Sequence, residues 1–439
     1  MSIQLPWAIV WLRHSIRLHD NPMLQRCIAE GYRPVVVYIT PTRELEIDRW
    51  GFVPLGPHRK RFLRESLIDL RSQLDSHGVN LLYLEGDVIE QLSMVSTSLT
   101  STQSIKIYAD REYAYLDQKI ETEVEAAFDV TWFHAQLLTN PEDLPFSVIS
   151  TPHIFTKFRG KIEKYVTIEM LAEEAQWSSL LPQEAVLPSS LKEYTNALPQ
   201  DAYLPPPIDN RQAFAFQGGE TAALSRLKDY LWDSELVTSY KETRNGLIGP
   251  DYSTKFSAYL SLGCLSPKLV YHEIKRFEEE VLANQSTYWV IFEILWREFF
   301  RFVAWQHGRH LFWPGGIQHK LVKLRTNHQF DAWCKGETGQ PFVDANMREL
   351  NATGFMSNRG RQNVASYLVH DLGQDWRAGA AYFEHQLIDY DPCSNYGNWN
   401  YIAGVGNDPR AGRKFNVAGQ AERYDAQGDY TLLWENRIR

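Results

Sequence analysis

The sequence predicts an α/β domain built on a parallel sheet and an all-α domain, joined by a long connector. Three observations carry that prediction. Hydrophobic cores rarely grow past roughly 250–300 residues, and the chain has 439. Short apolar runs alternate with helical periodicity through the first third, the mark of strand–helix–strand units with right-handed crossovers. From about residue 211 the periodicity is helical nearly to the end. The expected division is therefore 1–136 for the α/β domain, 137–210 for the connector and 211–439 for the helical domain.

Residues 7–12, 34–39, 80–84, 105–108 and 130–133 read as buried strands. Between the first two, Asp20, Asn21 and Pro22 supply a helix cap with proline in the first turn. Over 61–77, Leu63, Leu67, Leu70 and Leu74 share one helical face, and Gly78 ends the helix. This is a Rossmann-like pattern, yet the first strand-to-helix turn, residues 13–17, has no glycine. A dinucleotide pyrophosphate approaches the backbone closely there, normally through G-x-G-x-x-G. Any dinucleotide is expected elsewhere.

The connector is broken by Pro141, Pro145, Pro152, Pro182, Pro188, Pro199 and Pro205 to Pro207, leaving room for one or two short helices. After it, residues 288–307 are apolar around most of the helical circumference, which predicts a central buried helix. Glu293, Arg297, Glu298 and Arg301 interrupt that helix.

Apolar residues at 44% and charged residues at 23% describe a globular chain. With a net charge of -9, nucleic-acid contact must come from a local basic patch. The four cysteines lie far apart without a C-x-x-C pair, so no metal site or disulfide framework is expected, and a reducing, cytoplasmic setting fits. No apolar run approaches the about 20 residues that a membrane helix needs. No targeting segment is recognised at the amino terminus, and a monomer is expected. Aromatic residues reach 13%, with 14 Trp; a large core and stacking on flat ligands both explain that excess.

In the helical domain, Tyr240 to Arg244 precede a hydroxyl-rich turn, Asp251 to Ser257, at the start of a helix. Hydroxyls and backbone N–H groups at a helix start suit a phosphate, and equally an ordinary cap. Asn358 to Gln362 lead into another helix, and Asp389 and Asp391 stand two residues apart before Asn395 and Trp399. Charges inside an apolar domain must be paired or hydrogen-bonded if buried; a flavin edge offers the donors and acceptors, and a surface turn with Asx caps equally accounts for Asp391 to Ser394.

Segments 240–257, 293–298, 342–350, 353–362 and 389–399 resemble, in order and spacing, the flavin domain of the photolyase/cryptochrome family. Residues 398–410 with Lys414, Phe415 and Asn416 are similar to its DASH branch, and residues 10–13 and 18–22 to its antenna domain. The resemblance implies a U-shaped FAD in the helical domain and blue-light repair of cyclobutane pyrimidine dimers in DNA. By motif, Tyr240, Ser253, Thr254, Phe256 and Ser257 would hold the pyrophosphate and its neighbours, with Arg297 and Asn358 also binding the cofactor. Arg361 would pair with Asp389 beside the ring system, and Asp391 would bind its pyrimidine edge. Asn395 would face flavin N5, where an amide adds no negative charge and favours an anionic reduced flavin.

On the substrate side, the resemblance makes Glu293 the hydrogen-bonding and proton-donating partner of a flipped pyrimidine pair. Trp296 would stack on that pair, and Asn358, Met356, Gln362 and Tyr401 would line its cavity. Arg359 and Arg413, with Arg410 and Lys414, would bind flanking phosphates. Damaged pairs are the cheapest to flip, which is itself a source of selectivity. No histidine stands at 358 or 362, so the residues associated with (6-4) photoproduct repair are missing.

Three departures from the family pattern shape the remaining expectations. Trp399 and Trp376 match the inner and middle members of the family's electron chain, but the outer position falls on Lys323. Trp313, Trp305 or a tyrosine is expected to take over, with weakened photoreduction. In folate-binding relatives the segment 112–117 carries a carboxylate that contacts the pterin. Glu112 or Asp117 would fill that role, or neither, and methenyltetrahydrofolate is the candidate antenna. Tyr401 stands where duplex-repairing photolyases carry a second large aromatic, so single-stranded DNA is the expected substrate, with RNA a further candidate. The alternative function is a blue-light photoreceptor with little or no turnover.

Overall fold

The protein is described by a computed structural model for residues 5–100, 104–180, 186–199, 207–322, 325–407 and 414–435. Its first domain runs β1 (Trp7–Leu12), α1 (Pro22–Ala29), β2 (Arg33–Pro41), α2 (Pro57–Asp75), β3 (Leu81–Gly86), α3 (Val88–Leu99), β4 (Lys106–Asp110), α4 (Tyr115–Ala127) and β5 (Asp129–Phe133). The five strands form one parallel sheet in the order β3-β2-β1-β4-β5. β1 is central, with Val10 opposite Val36 on one side and Tyr108 on the other. Ile9, Val10, Val36, Val37, Leu82 and Ile107 have no exposed surface, as a sheet covered on both faces requires.

Asn21 caps α1 by accepting from the Leu24 N–H at 3.1 Å, with Pro22 in the first turn. Helix α2 begins four residues earlier than its leucine stripe announces. Its first turn carries His58 and Arg59, polar residues that are buried under the helical domain; the His58 ring meets the Asn351 carbonyl at 2.9 Å. The connector holds α5 (Phe155–Tyr165), the four-residue helix Lys192–Thr195 and several single 3₁₀ turns.

The helical domain contains α6 (Glu220–Lys228), α7 (Pro267–Glu280), α8 (Gln285–His307), α9 (His328–Lys335), α10 (Pro341–Thr353), α11 (Asn358–Ser366), α12 (Trp376–Gln386), α13 (Pro392–Ile402) and α14 (Val417–Tyr424). Among the described residues, no helix is long and apolar enough to cross a membrane. All four cysteines are free and buried.

Helix α8 is the central element. A capping box starts it: the Asn284 side chain accepts from the Ser286 and Thr287 N–H groups, and the Thr287 hydroxyl accepts from the Asn284 N–H. Two of the charges that interrupt its apolar surface are satisfied largely by residues 136–139, at the junction of the first domain and the connector. Glu298, fully buried, accepts from Leu138 N, Thr139 N and the Thr139 hydroxyl at 3.0, 2.9 and 2.7 Å. Arg297 donates to the Gln136 carbonyl, the Gln136 side chain and the Leu260 carbonyl at 2.7, 2.6 and 3.1 Å. Unsatisfied, charges this deep would cost several kcal/mol each.

Further joints tie the domains together. The buried Arg17 guanidinium donates to the Gly263 and Ala135 carbonyls, both at 2.9 Å. Gly263 itself, at φ +70°, lies so close to the His14 carbonyl that a Cβ would stand 1.8 Å from the oxygen. Glu220 opens α6 and accepts from the Leu18 and His19 N–H groups at 2.6 and 3.0 Å.

Candidate functional site

A cavity of about 510 Å³ opens among α8, α11 and α13. Helix α8 presents Phe292, Glu293, Trp296, Arg297 and Phe300 to it, a stripe at helical spacing. Helix α11 contributes Asn358, Arg361 and Gln362, and α13 contributes Asn395, Trp399 and Tyr401. Asp389, Asp391 and Ser257 complete the predicted residues on its wall.

Asp391 is the N-cap of α13, its Oδ1 accepting from the Ser394 N–H at 2.7 Å. Its Oδ2 accepts from Arg301 Nη2 at 2.7 Å. Burial works against the charged Asp391 carboxylate, but Arg301 and then Arg297 outweigh it and hold the group below its ordinary value. Asp389 Oδ2 accepts from Arg361 Nη2 at 2.8 Å, while its Oδ1 is buried without a hydrogen-bond partner among the described residues. The Asn395 amide donates one N–H to the Ala380 carbonyl at 3.0 Å, which leaves its oxygen and second N–H for a ligand.

Glu293 forms an ion pair with Arg244 on the cavity wall. Burial pushes the Glu293 carboxyl above its ordinary value, and Arg244 is the strongest opposing influence. The neighbouring Trp296 is backed by Phe155 of the connector in a stacked pair. Arg359 is not on this wall; it donates to Gln362 and Asn245, both at 2.8 Å, and lies 4.6 Å from the Tyr424 ring centroid.

Some predicted residues stand off this wall. Met356 was expected to line the substrate cavity, but it has no exposed surface and packs in the core beneath Gly360. It precedes the N-cap Ser357, so its side chain turns inward before α11 begins. Tyr240, Ser253, Thr254 and Phe256 are also absent from the wall. The Phe256 ring sits edge-on to Tyr230 in the core, and the Ser253 and Thr254 carbonyls accept from Arg226 at 3.3 and 3.2 Å. Lys323, Arg410 and Arg413 lie outside the described residues. Lys414 pairs with Asp371 at 2.6 Å.

Trp399 lines the cavity, 2% exposed, and its ring contacts are Phe383 at 5.2 Å and Trp333 at 6.3 Å between centroids. Trp376 is buried, donates to the Pro314 carbonyl at 3.0 Å and meets Tyr396 at 6.1 Å. Trp313, the residue before Pro314, is 44% exposed, and its ring neighbours are His310 and Arg309, both 4.7 Å from its ring centroid. Trp305 packs on Tyr113 and His134 toward the first domain instead. Both candidate antenna carboxylates are engaged internally: Asp117 with Arg13 and Arg43 at 3.3 and 2.7 Å, and Glu112 with His14 at 2.8 Å.

Sequence reasoning missed Arg244, Arg301, Phe155 and Lys255 as contributors. Lys255 is 2% exposed at φ +61°, donates to the Ser253 hydroxyl at 3.1 Å and lies 2.9 Å from the Tyr252 ring centroid. Burial pushes its amine down to about 6, an environment that an anion would complete. Lys255 and Arg361 flank the same Phe355 ring, at 5.3 and 5.6 Å. A ligand with hydrogen-bond donors at one edge, for Asp389 and Asp391, and negative charge elsewhere fits this set.

Residues 8–177 match the family model of DNA photolyase, and residues 289–438 match that of the FAD binding domain of DNA photolyase. The chain is 45% identical to the cryptochrome DASH of Synechocystis sp., over 98% of this chain and 87% of that protein. It is 46% identical to the cryptochrome DASH of Xenopus laevis, over 97% and 82% of the two chains. The crystal structure of a Synechocystis cryptochrome superposes with a TM-score of 0.88 at 43% identity, covering 99% of this chain and 89% of that one.

Proposed function

Because this chain belongs to the photolyase/cryptochrome family, with cryptochromes of the DASH type among its relatives, we propose that it is a blue-light-driven enzyme that splits cyclobutane pyrimidine dimers in DNA, preferring single strands. FAD is its cofactor. The observation that carries the reading is one shared wall: Glu293, Trp296 and Asn395 face the same cavity as the Arg361–Asp389 pair.

Bound FAD supplies light-driven electron donation to the dimer. Asp389 and Asp391 accept hydrogen bonds from the flavin edge, and Asn395 offers an amide without adding charge. Ser257, Arg297, Asn358 and Arg361 bind the remainder, with Tyr240, Ser253, Thr254 and Phe256 shaping the pyrophosphate end. Trp296 stacks on the flipped pair, an interaction worth about 1–3 kcal/mol per base. Glu293 hydrogen-bonds the pair and holds a proton for it. Gln362 and Tyr401 complete the substrate walls, and Arg359 and Arg413 hold flanking phosphates. Trp399 and Trp376 would relay electrons to the bound cofactor.

The division at 136/137 and 210/211 separates the antenna domain, connector and catalytic domain. Four buried, unpaired cysteines suit a reducing compartment such as the cytoplasm. The name cryptochrome carried by the relatives supports a second reading, a photoreceptor without turnover; the carboxyl and ring of Glu293 and Trp296 at the cavity favour repair. The deciding experiment is restoration of a thymine-dimer oligonucleotide, single- or double-stranded, by the purified and reduced protein in blue light and in darkness. Restoration in light alone, faster on single strands, is expected; none in light refutes repair, and equal rates refute the strand preference.

A further inference from the structure

We propose that Glu112, a carboxylate of the amino-terminal domain, is a positioning residue of the flavin site, acting through Arg301. The inference rests on reading the cavity as the FAD site. Arg301 is 1% exposed and lies between two carboxylates contributed by different domains. Asp391 Oδ2 is 2.7 Å from its Nη2, and Glu112 Oε2 is 3.7 Å from its Nη1. Arg301 Nε and Nη1 make no hydrogen bond among the described residues. Among the described residues, its orientation toward Asp391 is set on the far side by the charge of Glu112, with the Tyr113 ring 5.7 Å from the guanidinium carbon as the other contact.

Glu112 is itself held firmly. It is 4% exposed, its Oε1 lies 2.8 Å from His14 Nδ1, and its backbone N–H donates to Glu121 at 2.7 Å. The chain His14–Glu112–Arg301–Asp391 thus runs from the first strand-to-helix turn of the sheet to the cavity wall. Asp391 is a sensitive end point, because it lines the cavity and caps the helix that carries Asn395 and Trp399. The other cation that acts on Asp391, Arg297, donates its hydrogen bonds to Gln136 and Leu260 rather than to Asp391. Glu298 on the adjoining position is committed to Leu138 and Thr139.

Asp391 and Glu112 share the Arg301 guanidinium, and Glu112→Gln takes one negative charge out of this corner. Removing the charge of Glu112 loosens Asp391 and also makes the corner less negative, which favours a reduced, anionic flavin. The two effects give separate readouts. Flavin fluorescence quenching in the apoprotein reads FAD affinity, and a redox titration of the holoprotein reads the midpoint potential.

For Glu112→Gln, affinity is expected to fall about tenfold, the lower end of what losing a supporting partner does to a metal site, and the potential to move upward. The control is Glu220→Gln, which removes another buried interdomain carboxylate that does not touch Arg301. Wild-type affinity and potential in Glu112→Gln would overturn the proposal, as would equal losses in Glu220→Gln. Loss of a near-ultraviolet folate band with unchanged flavin binding would also overturn it, by making Glu112 an antenna contact. A wild-type protein that binds no FAD would refute the cavity reading itself, a result distinct from equal binding by wild type and variant.

Discussion

The ring of Phe155 lies flat on that of Trp296, with 3.8 Å between centroids and 13° between planes. A residue of the proline-broken connector thereby fixes the back of a cavity-wall tryptophan. The same indole lines the cavity.

Phe155→Ala should cost about 3 kcal/mol or more in stability, as buried phenylalanine truncations do. It should also weaken binding of a dimer-containing oligonucleotide several-fold, because Trp296 loses its fixed plane. Denaturant unfolding and fluorescence binding check the two parts; lost stability with unchanged dimer affinity would show that Trp296 needs no backing.

The Arg244–Glu293 pair predicts a pH effect. Arg244 opposes the upward push that burial exerts on the Glu293 carboxyl, so Arg244→Met should raise that group further and let it keep its proton to higher pH. If repair uses the proton, the alkaline limb of the quantum yield moves upward in Arg244→Met and disappears in Glu293→Gln. Light-driven repair measured across about pH 5–9 decides it; an unmoved limb in Arg244→Met argues against the proton.

Glu349 predicts the pH dependence of stability. Burial pushes its carboxyl up to about 7, against the opposing hydrogen bond from the Tyr430 hydroxyl at 2.6 Å. Between its ordinary value, about 4.3, and about 7, the native state binds a proton that the unfolded chain has lost. Stability therefore falls as pH rises through that window. Thermal unfolding should occur at lower temperature at alkaline than at mildly acidic pH, and Glu349→Gln should flatten that slope.

Asn395→Asp would add a carboxylate to the cavity wall without changing the shape. The midpoint potential should fall, since an anionic reduced flavin then faces a like charge. Redox titration checks the sign; an unchanged or raised potential would place Asn395 away from the reactive ring edge.

Trp399→Phe should abolish most flavin photoreduction, and Trp313→Phe should slow it, because Trp313 adjoins the Pro314 carbonyl that receives the Trp376 indole. Transient absorption on both variants is the measurement. A normal rate in Trp399→Phe contradicts the chain, and a normal rate in Trp313→Phe returns the outer position to another residue.

β1 to β4 were legible as short, mostly buried apolar runs, and α8 because it is apolar almost all round; β5, expected to be buried, is the sheet edge and only half-buried. The start of α2 was hidden, since His58 and Arg59 are buried by contacts that sequence periodicity does not encode. Met356 shows the limit of motif reading: a position near the site faces either the cavity or the core, and only the phase at the Ser357 cap decides. Arg244, Arg301 and Phe155 escaped notice because their partners lie far off in sequence, 90 residues away for Arg301 and Asp391. Lys255 carried a local signal, a lone cation in a hydroxyl-rich turn, but nothing that announced its burial.

Among the described residues, Glu298 receives its three hydrogen bonds from Leu138 and Thr139, some 160 positions earlier in the chain. A fragment starting at residue 211 would strand that carboxylate in an apolar interior. Melting should accordingly proceed as one calorimetric event rather than two, and a separately expressed carboxyl-terminal piece should come out insoluble unless its missing front half is supplied in trans.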